Sequence, residues 1–131
     1  MFSYESTKKK IICDFIELLP MLRVRLGLTQ EQLGERIGTT RQTIISIENK
    51  KNPLTWSLFL AMFFLFFIEP GTRPFLLASG IINSELSKIL FGDTLTLINA
   101  ASELESKKPM LAKAQEMIDG FKAGKKNESE E

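Results

Sequence analysis

The sequence predicts an all-α chain, with two short helices meeting at a steep angle and a C-terminal helical extension behind them. Three observations predict it. Thr29-Gln30-Glu31-Gln32 and Thr39-Thr40-Arg41-Gln42 are both capping-box patterns, with a hydroxyl residue followed three positions later by glutamine. Each opens a run whose apolar residues fall at helical spacing, Leu33 and Ile37 in the first, Ile44 and Ile47 in the second. Gly38 stops the first run, and helices separated by about three residues cannot be collinear, so the pair must cross.

The remaining elements follow in order. Ser6 to Leu19 carries Ile11, Ile12, Phe15, Ile16, Leu18 and Leu19 and reads as a helix that Pro20 ends, or after which Pro20 opens the next helix. Met21 to Leu26 runs to Gly27, a C-terminal glycine cap. Gly34 has no side chain and lets the second short helix approach the first. Asn49 to Pro53 is a turn, and Thr55 or Ser57 caps a hydrophobic helix reaching Ile68. Phe75 to Ala78 is a short helix ending near Gly80, and Ser84 to Phe91 is another, closed by Gly92. Thr94 to Ile98 alternates briefly, but Leu95, Ile98, Ala101 and Glu105 continue better as helix. Pro109 restarts a helix with Met110, Leu111, Ala114, Met117, Ile118 and Phe121 on one stripe. The expected division is residues 1–69, a C-terminal helical region 70–124 for packing or dimerisation, and a disordered charged tail 125–131.

Composition excludes several functions. The chain has no histidine and one cysteine among 131 residues, which removes a Ser-His-Asp triad, a Cys-His dyad, histidine-ligated zinc and an internal disulfide framework. No catalytic residue, metal or cofactor is expected, and the chain is not read as an enzyme. Cys13 stands among apolar residues and reads as an inert buried thiol, suited to a reducing cytoplasm. The net charge of +1 divides into +3 over residues 1–53 and −2 over 54–131, a mildly basic front half compatible with a polyanion. Leu58 to Ile68 is eleven apolar residues without a break, whereas a membrane-spanning helix needs about 20. A buried helix is expected, with no membrane partner.

From Gln30 to Asn49 the spacing resembles the helix-turn-helix of the λ repressor/Cro-like, xenobiotic-response-element type of DNA-binding family. The matching residues are Arg23, Gly27, Leu28, Gln30, Leu33, Ile37, Gly38, Ile44, Ile47, Glu48, Asn49 and Pro53, within a stretch from about Pro20 to Ile68. The family pairs an arginine at the place of Arg23 with a glutamate at the place of Glu48, and both are here, as a structural pair. Gly34 departs from the family's alanine and Thr39 from its larger apolar residue, while Pro20 shortens the first helix. The resemblance implies double-stranded DNA, read as a palindromic operator by a homodimeric repressor. It also implies that Gln30, Thr40, Thr43, Lys50 and Lys51 meet phosphate, Thr43 serving a phosphate or a base.

Reading base edges in the major groove needs long, multiply hydrogen-bonding side chains near the start of an exposed helix. Arg41 can donate twice to guanine O6 and N7, and Gln42 can pair bidentately with adenine N6 and N7. Ile45 and Ser46 can meet a thymine methyl or a second base edge. Thr29 and Thr39 read as caps, and Lys8 to Lys10 as a solvated end.

The hydrophobic helix 54–68 is apolar all round, with Phe59, Phe63, Phe64, Phe66 and Phe67, so both of its sides need cover. The C-terminal helices and a second copy are both expected to supply it, making these phenylalanines a core and dimer surface; the 110–121 stripe is a second candidate. Two other functions stay open. One is an antitoxin-type DNA-binding protein whose C-terminal region captures a protein partner. The other is a helical interaction or membrane-surface module that no longer binds DNA.

Overall fold

A computed structural model describes residues 4–92 and 108–130. The chain divides into two compact units, Met1–Thr94 and Leu95–Glu131. The first holds α1 (Tyr4–Arg25), α2 (Gln30–Ile37), α3 (Arg41–Glu48), α4 (Trp56–Ile68), α5 (Arg73–Ser79) and α6 (Ser84–Phe91); the second holds α7 (Lys108–Glu130). The fold is all-α among the described residues. α5 packs on α4 and α6 on α1, so the boundary expected at 69/70 falls beyond α6 instead.

α1 corrects the reading of Pro20, because one helix runs straight through it. An interior proline costs about 3 kcal/mol through its lost hydrogen bond and ring clash. Leu19 and Leu22, on either side of it, are fully buried, and each contributes about 1.5–3 kcal/mol by leaving water. They continue the stripe of Ile11 and Phe15 only if the helix does not break. Pro20 itself is exposed, so the ring faces solvent rather than the core. Cys13 is exposed too, contrary to expectation. At 3.6 residues per turn it lies on the side of α1 opposite that buried stripe.

Local signals set the next two helices. The Thr29 hydroxyl accepts from the Gln32 backbone N–H at 3.0 Å, and Gln32 Oε1 accepts from the Thr29 N–H at 2.9 Å, completing the capping box. α2 ends at Gly38, whose φ of 82° is left-handed, and the Thr39 N–H donates to the Gly34 carbonyl at 2.8 Å. That bond commits Thr39 to the turn, so Thr40 rather than Thr39 caps α3, accepting from the Thr43 N–H at 3.1 Å. No reciprocal side-chain bond completes a second box. α3 closes with Lys50 at a φ of 61°: its N–H donates to Ile47 O at 3.0 Å, and that of Lys51 to Ser46 O at 2.8 Å. This is a Schellman ending with lysine where glycine is usual.

α4 is capped by Thr55, which accepts from the Leu58 N–H at 3.2 Å. Phe59, Met62, Phe63 and Phe66 are buried, and Phe15 meets Phe59 edge-on at 5.1 Å between ring centroids. Of the five phenylalanines expected as a core and dimer surface, Phe59, Phe63 and Phe66 are therefore core of this unit and unavailable to a partner. Phe67 is half-buried and Phe64 is 66% exposed. α5 turns 116° from α4. The buried Thr72 hydroxyl donates to Phe66 O at 2.6 Å, and the Arg73 guanidinium donates to Phe67 O and Ile68 O, so both satisfy the last carbonyls of α4. Among the described residues no single helix is long and apolar enough to cross a membrane; α4 and α5 reach that composition only as a bent pair.

In the second unit, Leu111, Met117, Ile118 and Phe121 are exposed along α7. The helix continues to Glu130, correcting the expected tail at 125–131. Lysine and glutamate there are good helix formers and extend a helix already nucleated upstream. The helix expected through Leu95, Ile98, Ala101 and Glu105 lies outside the described residues.

Candidate nucleic-acid interface

α3 has two opposed sides. Ile44 and Ile47 are buried, against α1 and α2. At 100° per residue, Arg41, Gln42, Ile45, Ser46 and Asn49 share an arc of about 140° on the other side. Arg41, Gln42 and Asn49 are exposed, while Ile45 and Ser46 are half-buried. Thr43 borders the arc, its hydroxyl 2.9 Å from that of Thr40. The four residues expected to reach base edges are thus brought together, and Asn49 extends their row. Asn49 was legible as one turn beyond Ser46, but it also reads as part of the following turn.

Glu48 anchors this helix to the rest. Its Oε1 accepts from Arg23 Nε at 3.0 Å, and its Oε2 from Gln30 Nε2 at 2.8 Å. Arg23 also donates to the Leu28 carbonyl at 2.9 Å. One carboxylate thereby ties together the end of α1, the start of α2 and the end of α3. Gln30, expected at a phosphate, spends one amide N–H on Glu48; its second amide N–H is not used by a described partner.

Lys50 and Lys51 follow α3, both exposed. The Lys50 ammonium is ion-paired with Glu17 of α1, a partner 33 residues away in sequence that no local pattern announces. A cleft of about 350 Å³ lies beside this pair, lined by Cys13, Ile16, Asn52 and Pro53 as well as the lysines. Among the described residues no group of His, Cys, Asp and Glu is placed to hold a metal ion.

Two short helices crossing at a tight turn, with an exposed arc on the second, form the arrangement of a helix-turn-helix. Residues 21–55 match the family model for the helix-turn-helix. The match runs from the end of α1 to the cap of α4. An uncharacterized HTH-type transcriptional regulator of Methanothermobacter thermautotrophicus is 59% identical over 39 residues, 30% of this chain and 54% of that protein. The uncharacterized HTH-type transcriptional regulator YgzD of Bacillus subtilis is 51% identical over 41 residues, 31% of this chain and 59% of its own. The chain thus spans just over half the length of these curated relatives. No solved structure matches the chain significantly. The matched stretch is a helix-turn-helix domain homologous to those of transcriptional regulators.

Proposed function

We propose that this protein is a sequence-specific double-stranded DNA-binding regulator of the λ repressor/Cro-like type, acting as a homodimeric repressor on a palindromic operator. The observation that carries the reading is the outward arc of α3. The Arg41 and Gln42 side chains have no described intramolecular hydrogen bond, yet they sit at the start of a helix whose other side is locked into a core. Arg41 reads guanine through O6 and N7, Gln42 reads adenine, and Ile45 and Ser46 meet a thymine methyl or a neighbouring base edge. Gln30, Thr40, Thr43, Lys50 and Lys51 hold phosphates on either side, the first two at helix N-termini where free N–H groups favour anions.

Selection of bound fragments from a random duplex pool at about physiological salt tests the proposal. A two-fold symmetric motif with half-sites about 10 base pairs apart is the expected result. Recovery of nothing above background would overturn sequence-specific binding by the chain alone. One observation favours a second role beside this one. Leu111, Met117 and Ile118 of α7 are exposed at helical spacing, a stripe suited to capturing a protein partner, as in an antitoxin-type regulator. Co-purification of a defined partner, lost with Ile118→Asp, would support that addition.

A further inference from the structure

α4 carries a second apolar stripe that its unit covers only in part: Ala61 and Leu65 are half-buried, Phe64 and Ile68 exposed. Ala61, Phe64, Leu65 and Ile68 recur at i, i+3, i+4 and i+7, the spacing by which a helix presents one side to another helix. The buried stripe of Phe59, Met62, Phe63 and Phe66 occupies the opposite side. Phe64 is 66% exposed and Ile68 50%, and beside them lies a groove of about 390 Å³ between α4 and the end of α2. Arg36 and Glu69 stand on this groove with opposite charges. Neither side chain has an ion-pair or hydrogen-bond partner among the described residues.

We infer that this groove is a self-association surface and that its occupant is a second copy of this chain. The inference rests on the homodimeric part of the function proposed above and gives it a location. A two-fold contact brings each patch against itself, so it must carry both halves of every interaction. This patch does: Phe64 is an aromatic projection beside a groove, and Arg36 and Glu69 are a cation and an anion on one rim. Across a two-fold axis, Arg36 of one copy meets Glu69 of the other, twice, with the Phe64 rings covered between them. Exposed aromatic residues and arginine are the groups that dominate such contacts when buried. No residue of α3 lines the groove, so the recognition arc stays clear in the dimer.

Sedimentation equilibrium of the full chain without DNA tests the inference. A dimer in the micromolar range is expected. Phe64→Asp should weaken it at least about tenfold while leaving the helical circular dichroism unchanged, because the side chain is not core. Arg36→Glu and Glu69→Arg should each weaken it, and the double variant should recover it. A wild-type monomer, a dimer indifferent to Phe64→Asp, or a charge swap no better than its parents would overturn the proposal. A dimer lost only with Ile118→Asp would overturn it in favour of the C-terminal helix. None of these readouts involves DNA, so a failure of the DNA-binding reading leaves them interpretable.

Discussion

Arg23 and Glu48 lie 25 residues apart and meet at 3.0 Å, with side chains only 16% and 5% exposed. Surface ion pairs contribute about 0–1 kcal/mol, but this one is withdrawn from water and extended by Gln30 and the Leu28 carbonyl. Removing one partner of such a pair leaves the other charge desolvated and unmatched.

Breaking a buried pair costs about 3–5 kcal/mol, so Glu48→Ala should lower the unfolding free energy by about 3 kcal/mol. The loss is at the lower end of the range because Arg23 keeps its bond to Leu28 O. The double variant Arg23→Met, Glu48→Leu should cost at least about 1 kcal/mol less than the sum of its single variants, because neither charge is stranded. Urea denaturation of the four proteins measures this. Additive losses would show that the pair is not coupled.

Arg41→Ala separates reading from folding. Arg41 is exposed and without a described partner, so its loss should leave stability within about 0.5 kcal/mol of wild type. On the preferred duplex it should cost about 1–3 kcal/mol of binding and relax specificity at one base pair. Titration of preferred and random duplexes under one salt condition decides the matter. Equal losses on both would remove Arg41 from base recognition.

Lys50 opposes two effects in one residue. A left-handed lysine costs about 1–2 kcal/mol, whereas glycine there loses about 0.5–1 kcal/mol in unfolded-state entropy. The exposed pair with Glu17 contributes about 0–1 kcal/mol, so Lys50→Gly should leave thermal stability equal or slightly raised. Yet the same change should weaken binding to every duplex and reduce the salt slope by about 0.9. Glu17→Gln should do the reverse, because it frees the ammonium and removes a negative charge beside it. Salt titrations with random duplex distinguish the two; a Lys50→Gly slope equal to wild type would show that Lys50 meets no phosphate.

What was legible in the sequence was local. Thr29 with Gln32, Gly38 and the spacing of Leu33, Ile37, Ile44 and Ile47 act within a turn or two of chain, and they place α2 and α3 as observed. The Arg23–Glu48 pair is long-range and was legible only through family resemblance. Pro20 misled because propensity argues for a break, while the decisive quantity is burial of Leu19 and Leu22 on both sides of it. Cys13 was misread from its apolar neighbours when helical phase alone places it opposite Ile11 and Phe15. Which phenylalanines of α4 are core depends on where α1, α2 and α5 lie. The Lys50–Glu17 contact depends on the same tertiary placement, so neither has a local signature.

Gly34 offers the sharpest test of the crossing itself. A Cβ there would stand 2.8 Å from the Thr39 carbonyl oxygen and 3.2 Å from the Thr40 carbonyl carbon. Both are backbone atoms of the turn, and Thr39 is held to Gly34 O by its own N–H. Helix propensity favours alanine by about 1 kcal/mol, but overpacking against an immobile neighbour costs about 1–3 kcal/mol. Gly34→Ala should therefore destabilise by about 1 kcal/mol, because the turn must shift outward. Thr40 and Arg41 move with it, so affinity for the preferred duplex should fall more than affinity for random duplex. Gly120→Ala in α7, where a Cβ meets nothing within 4 Å, is the control and should only gain helicity. If Gly34→Ala instead matched or exceeded wild-type stability, the turn would be yielding freely, and the close approach of α2 to it would not constrain where α3 begins.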